Sequence, residues 1–181
     1  MERETMEYDV VVVGGGPSGL STAIKFAQLN QENGTDYSIC LLEKGSEVGA
    51  HILSGNVFQT TALDELIPNW KDLNAPLNVP VKKDKLLYLL EKISFPVPAF
   101  IMPTMNNHGN YVISLGNLCR WLAEQAENLG VEIFPGFPAS KLIYEDDKVV
   151  GVQTGDMGIG ANGELKPGNE PGIEIRAKYT I

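Results

Sequence analysis

The chain has 181 residues, enough for one sizeable core or for one domain and part of another. Hydrophobic residues make up 43% of it and charged residues 20%, the balance of a globular chain. A formal net charge of −9 argues against nucleic acid as a partner, since phosphates call for a basic surface, and against a membrane contact driven mainly by lysines.

Residues 1–7 are too acidic and polar for a signal or transit peptide. No apolar run approaches the roughly 18 residues that a spanning helix needs. The two cysteines, Cys40 and Cys119, form no C-x-x-C pair. Neither a zinc site nor an iron–sulfur cluster is therefore encoded in this stretch, and both thiols read as small buried apolar groups kept reduced, as in a cytoplasmic protein.

The first element is the β-branched run Val10 to Val13, the pattern of a parallel strand buried on both faces. It leads directly into Gly14-Gly-Gly-Pro-Ser-Gly19, with the spacing G-x-G-x-x-G. In that fingerprint Gly14 allows the tight turn, Gly16 lets the main chain approach a pyrophosphate, and Gly19 lets the following helix lie close to the strand. The helix N-terminus offers unpaired N–H groups and a positive dipole end to the phosphates. Leu20, Ala23, Ile24, Ala27 and either Gln28 or Leu29 trace the buried stripe of that helix, which fades near Asn30 into a polar loop over 31–36. Residues 37–43 read as a second strand ending in Glu43, 24 residues after Gly19, where an acid accepts hydrogen bonds from a ribose. Strand, turn, helix, strand and acid together define a dinucleotide site.

Residues 45–55 read as a glycine-rich loop. Leu63, Leu66, Ile67 and Trp70 then sit at helical spacing opposite Asp64, Glu65 and Asn69, in a short amphipathic helix ending at Pro68 or just beyond. Pro76 and Pro80 make residues 71–80 extended or irregular. Residues 85–93 fit strand or helix equally. Residues 95–105 carry Pro96, Pro98 and Pro103 among apolar side chains and read as a loop that cannot be a central strand. A turn over 106–110, in which His108 fixes the chain, precedes a short strand over 111–115. A helix follows from about Gly116 to Leu129, with Leu118, Trp121, Leu122 and Ala126 on one face and Gly130 at its end. Residues 131–134 read as a strand, and 139–145 and 148–154 as a hairpin turning at Asp146-Asp147. Residues 155–172, with six glycines and two prolines, read as a long loop, and 173–181 as a further strand. The fold class is α/β: a Rossmann-like domain with an antiparallel ribbon and part of an inserted second domain. Residues 8–55 form its βαβ core, 56–110 an inserted segment, and 111–181 the helix, ribbon and return strand. The last residue, Ile181, is an apolar strand residue, which points to a piece of a longer protein.

The fingerprint extends to Ala23, a form common among FAD-binding enzymes, and the order of elements is similar to glutathione-reductase-like and hydroxylase-like flavoproteins. Five further motifs are more specific: Val48-Gly-Ala-His-Ile-Leu-Ser-Gly55, Pro68-Asn-Trp70, Ala75-Pro-Leu-Asn78, Met105-Asn-Asn-His-Gly-Asn-Tyr111 and Trp121-Leu-Ala-Glu-Gln-Ala-Glu127. Together, from about Tyr8 to Ile181, the chain resembles the N-terminal portion of the electron transfer flavoprotein–ubiquinone oxidoreductases. The resemblance implies an enzyme with one FAD and, in the full-length protein, one 4Fe-4S cluster, which takes electrons singly from electron transfer flavoprotein and delivers two to ubiquinone. It implies a peripheral, monotopic position on the cytoplasmic face of a bacterial inner membrane, or on the mitochondrial inner membrane of a eukaryote. By position, Gly14, Gly16, Pro17, Ser18 and Gly19 would hold the FAD pyrophosphate, Glu43 the adenosine ribose, and Lys44 would lie beside the adenosine. Gly49, His51, Leu53, Ser54 and Gly55 would line the ribityl chain and flavin. No residue is expected to act as a catalytic acid or base.

Two stretches could supply the membrane contact: residues 48–69 with their short amphipathic helix, equally readable as packed on the core, and the apolar loop beginning at Phe95. Ser114 stands where many hydroxylase-like relatives carry an arginine, which weakens a hydroxylase reading. The alternatives are an FAD-dependent hydroxylase or polyprenyl-lipid reductase of the same fold, a non-catalytic NAD-binding module, and an inactive truncated fragment.

Overall fold

The computed structural model describes residues 3–98, 100–159, 162 and 164–181. The chain divides into two compact units, one made of residues up to Ile52 together with Cys119–Ile181, the other of Leu53–Leu118.

In the first unit, β1 (Thr5–Val13) is followed by helix α1 (Pro17–Asn33) and β2 (Ile39–Glu43). Later come β8 (Glu132–Pro135), β9 (Ala139–Glu145), β10 (Lys148–Thr154) and β13 (Glu174–Thr180), with the small ribbon β11 (Met157–Ile159) and β12 (Leu165–Glu170) before the last. The main sheet has the order β8-β2-β1-β13-β10-β9. Its first four strands run parallel, and β10 and β9 are antiparallel to their neighbours. The chain moves outward from β1 to β2 to β8 and returns on the far side of β1 as β13. The sheet therefore reverses direction between β1 and β13, the position where open α/β sheets hold ligands at their carboxyl ends.

The apolar runs explain the burial. Val10, Val11, Val12 and all of Ile39 to Leu42 are buried, so both faces of β1 and β2 are covered. One face carries Val11, Cys40, Leu42, Val152 and Ile175, against which Tyr8, Phe134 and Phe137 pack. The other receives α1 through Leu20, Ala23, Ile24 and Ala27. Leu29 is exposed, which resolves the open position in that stripe. Helix α1 runs three residues beyond the expected end, because Gly34, at φ 64°, closes it in the left-handed conformation while the amide of Thr35 donates to the Asn30 carbonyl. The hairpin of β9 and β10 matches the expected bounds, and Asp146 and Asp147 both have positive φ. That is a primed turn, which glycine fills at less cost than aspartate. Asp147→Gly is expected to raise the unfolding free energy by about 0.5–1 kcal/mol, read by urea denaturation. Residues 155–172 are not a plain loop, since β11 and β12 pair within them.

Cys40 and Cys119 are both fully buried. Burial pushes the Cys40 thiol up to about 12, with the Glu132 carboxylate adding to it. The Cys119 thiol is pushed up to about 11 by burial, with Arg120 opposing and the Glu43 carboxylate reinforcing the shift. Neither thiol is ionised at neutral pH, so both are expected to resist alkylation until the chain is unfolded.

The second unit contains β3 (Ser54–Phe58), α2 (Thr61–Leu66), β4 (Val79–Pro80), β5 (Leu86–Leu89), β6 (Ser94–Val97), a 3-10 turn (Pro103–Met105) and β7 (Tyr111–Ser114). Helix α3 (Leu115–Asn128) begins in this unit and ends in the first. β3, β7 and β4 form one antiparallel sheet, and β5 and β6 a separate hairpin. Ser54 and Gly55 therefore belong to a strand and not to the expected loop. Residues 85–93, open between strand and helix in sequence, contain β5. Residues 95–97, expected as loop, extend its partner β6: in a two-stranded ribbon both strands are edges, the setting in which a proline such as Pro96 is tolerated.

Helix α2 stops at Leu66 because Ile67, preceding Pro68, is driven out of helical geometry. Its apolar stripe is not free: Leu63, Ile67 and Trp70 are buried with Ala75, Leu77 and Ile113. Asp64, on the solvent side as expected, accepts from the Trp70 indole N–H at 2.7 Å and the Thr60 hydroxyl at 2.8 Å. These bonds hold its carboxyl below the usual aspartate range. Because the folded value is depressed, the stabilisation is complete above the ordinary aspartate range and is lost as pH falls through the folded value. The Trp70 fluorescence is expected to report that loss on acidification, and Asp64→Asn to remove it.

Candidate functional site

The turn after β1 is built from main chain. The Gly14 amide donates to the Leu42 carbonyl at 2.7 Å, tying the end of β1 to the end of β2. Gly14 has φ 111°, a conformation that side chains rarely adopt. Gly16 is the N-cap of α1, with Pro17 at the first helical position. No side chain caps this helix, and no acid lies in its first turn. The positive end of the helix dipole is thus left for another anion.

The four glycines of the turn do different work. A Cβ on Gly19 would lie 2.0 Å from the Gly14 carbonyl oxygen and 3.3 Å from Val12 Cγ1, so close packing of α1 on β1 requires glycine there. A Cβ on Gly16 would meet nothing within 4 Å. The side of the chain at Gly16 is open. Val13, Gly14, Gly16, Ser18, Thr22 and Ile181 line a cleft of about 260 Å³ there, at the carboxyl ends of β1 and β13. This is the point where the strand order reverses.

Gly15 was missed by the spacing argument, which treats it as a variable position. It is buried, and its amide donates to Glu43 Oε2 at 2.8 Å. The Gly45 amide donates to the other carboxylate oxygen, Oε1, at 2.7 Å. Glu43 thus fastens the phosphate turn to the loop after β2. A Cβ on Gly15 would fall 2.9 Å from Oε2 and 3.2 Å from Glu43 Cβ, and the middle glycine of the run over 14–16 leaves room for the carboxylate there. That run was the available signal.

Lys44 is exposed, next to Glu43. Gly49, at φ 85°, and His51 lie in the turns that follow, with His51 exposed. Arg120, from α3, brings Nη1 to 3.6 Å from Glu47 Oε1 and 3.5 Å from the Val48 carbonyl, a strut that sequence reasoning did not identify. Leu53, Ser54 and Gly55 belong to the other unit, at the start of β3, and Leu53 is 84% exposed. His108 lies in the turn before β7, where its amide donates to Asn106 Oδ1 at 3.0 Å.

An uncapped helix N-terminus, an open main-chain surface at Gly16 and an acid at the second strand end fit the diphosphate and ribose of a dinucleotide. Among the described residues no three His, Cys, Asp or Glu side chains are grouped to hold a metal ion. Two buried cysteines cannot supply the four thiolates of a four-iron cluster.

Residues 12–73 match the NAD(P)-binding Rossmann-like domain family. The solved structures that share the fold across nearly the whole chain include the following two. A geranylgeranyl bacteriochlorophyll reductase-like protein from Thermoplasma acidophilum has a TM-score of 0.68 at 24% identity, covering 97% of this chain and 38% of that one. A myxobacterial chondrochloren halogenase, described as a variant of FAD-dependent halogenases, has a TM-score of 0.64 at 17% identity, covering 96% and 36%. The chain is thus an α/β protein built on the Rossmann-like nucleotide-binding fold that these enzymes share.

Sequence similarity is narrower. The electron transfer flavoprotein–ubiquinone oxidoreductase of Pseudomonas aeruginosa is 57% identical over 185 residues, which cover all of this chain and 34% of that protein. The mitochondrial protein of the same name from Arabidopsis thaliana is 49% identical over 180 residues, covering 99% and 28%. That from Mus musculus is 49% identical over 182 residues, covering 100% and 30%. The chain is a homologue of the electron transfer flavoprotein–ubiquinone oxidoreductases, matching their N-terminal part and spanning about a third of their length.

Proposed function

We propose that this chain is the FAD-binding portion of an oxidoreductase that passes electrons from electron transfer flavoprotein to ubiquinone. The observation that carries the reading is the conjunction of the open glycine turn at the β1–β13 switch point with 57% identity, along the whole chain, to an enzyme of that name. The amides after Gly14 and the α1 dipole neutralise the FAD diphosphate, with Gly14, Gly16, Pro17, Ser18 and Gly19 forming the turn. Glu43 accepts from the adenosine ribose, and Lys44 lies beside the adenosine. For Gly49, Leu53, Ser54 and Gly55 we carry over the flavin-side role that the resemblance implies. Bound flavin supplies a centre that accepts electrons one at a time and releases two. These residues bind and orient it and transfer no proton. The 4Fe-4S cluster that the resemblance implies would take its ligands from outside this chain.

The test is a hybrid in which this chain replaces the matching N-terminal segment of the Pseudomonas aeruginosa protein. It is expected to bind flavin and to reduce a soluble ubiquinone analogue at the expense of reduced electron transfer flavoprotein. A flavin-loaded hybrid that passes no electrons would overturn the assignment of partners.

In this reading the enzyme sits on a membrane surface without crossing it. No helix among the described residues is long and apolar enough to span a bilayer. The hairpin of β5 and β6 and the segment after it expose Leu87, Tyr88, Leu89, Ile93, Phe95 and Phe100, with Leu89 at 70% and Phe100 at 83%. Lys82, Lys83, Lys85 and Lys92 flank them, all exposed. Such a patch lowers its apolar surface into the headgroup region while the cations stay at the lipid phosphates. Leu89→Asp combined with Phe100→Asp is expected to weaken co-sedimentation with phosphatidylethanolamine–phosphatidylglycerol vesicles by about tenfold. Unchanged sedimentation would remove this surface from consideration.

A further inference from the structure

We infer that His51 is a ribose contact of the adenosine half of the dinucleotide, working beside Glu43, and not a neighbour of the flavin ring. The inference rests on the flavin-nucleotide reading above and changes the place of one residue within it.

The contacts around Gly45 locate the imidazole. This glycine is buried, its amide donates to Glu43 Oε1, and its carbonyl accepts from the Gly136 amide at 2.7 Å. A Cβ built on Gly45 would stand 3.0 Å from the Glu47 carbonyl oxygen, 3.1 Å from Glu43 Oε1 and 3.3 Å from His51 Nδ1. The carboxylate that ends β2, the Glu47 carbonyl and the imidazole therefore surround a single point. Between them the chain makes two tight turns, with the Ala50 amide donating to the Glu47 carbonyl and the Ile52 amide to the Gly49 carbonyl, both at 3.3 Å. These turns fold residue 51 back onto the strand end instead of carrying it away along the loop. Val48 is buried and Arg120 braces Glu47 and the Val48 carbonyl, so the turns are anchored on both sides.

The chemistry matches that placement. The acid at the end of the second strand takes the ribose hydroxyls, and both of its oxygens already accept a main-chain amide. Each oxygen keeps one further lone-pair direction for a hydroxyl. A solvent-exposed imidazole beside it offers the second hydrogen-bonding group that a ribose diol can use.

The test compares ADP, which holds the adenosine and diphosphate without the flavin, with FAD, by calorimetric titration of the wild-type chain, His51→Ala and His51→Asn. His51→Ala is expected to weaken ADP and FAD equally, by about tenfold, at an unchanged melting temperature. His51→Asn, which keeps a donor and an acceptor, is expected to recover most of the loss, a recovery that a purely structural loop role would not give. With 2′,3′-dideoxy-ADP the wild type and His51→Ala are expected to bind alike. A loss confined to FAD would return His51 to the flavin. Equal affinities for ADP in all three proteins, or a gap that persists with the dideoxy nucleotide, would also overturn the inference. A wild-type chain that binds neither FAD nor ADP would instead overturn the flavin-nucleotide reading itself.

Discussion

Gly19→Ala is expected to destabilise the chain by about 3 kcal/mol or more and to abolish nucleotide binding. The added methyl would lie 2.0 Å from the Gly14 carbonyl oxygen, a backbone atom that no side-chain rotation can move. Relief requires either lifting α1 away from β1, which uncovers Leu20, Ala23 and Ile24, or opening the turn that Gly14 closes onto Leu42. Either route disturbs the helix N-terminus and the switch-point cleft together. Gly16→Ala is the control: its methyl meets no protein atom, so stability is expected to stay within about 1 kcal/mol while nucleotide affinity falls. Urea denaturation and FAD titration of the two variants separate packing from binding. Equal stability of both would contradict the role assigned to Gly19.

Glu43→Gln has the second large effect. In the native carboxylate each oxygen accepts one main-chain amide, from Gly15 and from Gly45. A glutamine can present its oxygen to only one of them and turns an NH2 donor toward the other. Gly15 and Gly45 are both buried, so whichever amide faces the NH2 would be left without water to replace the lost bond. The expected loss is about 1–3 kcal/mol of stability in the absence of nucleotide, in addition to weaker binding of ADP and FAD. Glu43→Asp is too short to span both amides and is expected to recover little. If Glu43 served the ribose alone, Glu43→Gln would leave the melting temperature of the nucleotide-free chain unchanged.

What the sequence disclosed, and what it withheld, follows from the range of the forces involved. The β1–α1–β2 unit was legible because each of its signals is local: a β-branched run, a glycine turn, an apolar stripe and an acid at fixed spacing. The hairpin over 139–154 was legible for the same reason, since two alternating runs meet at a two-residue turn. The misread segments are those whose pairing partner rescues a poor local pattern. β6 carries Pro96 yet forms a strand because its hairpin has two edges, and β11 and β12 pair across glycine-rich sequence that alone reads as loop. The apolar stripe of residues 63–70 was visible, but whether it covered a core or a membrane could not be decided until Leu63, Ile67 and Trp70 were seen to be buried. Within the site, the hydrogen bond from the Gly15 amide to Glu43 and the brace from Arg120 depend on contacts between residues far apart in sequence, for which no local pattern exists.

The central claim is that the main chain after β1 holds the diphosphate of FAD at the point where the sheet reverses. Amide-resolved NMR of the isotopically labelled chain during titration with FAD tests it most directly. One FAD per chain is expected to saturate, with the largest shifts at the Gly14, Gly16, Ser18 and Gly19 amides. Saturable binding whose shifts lie elsewhere, or no saturable shift at those four amides at all, would contradict it.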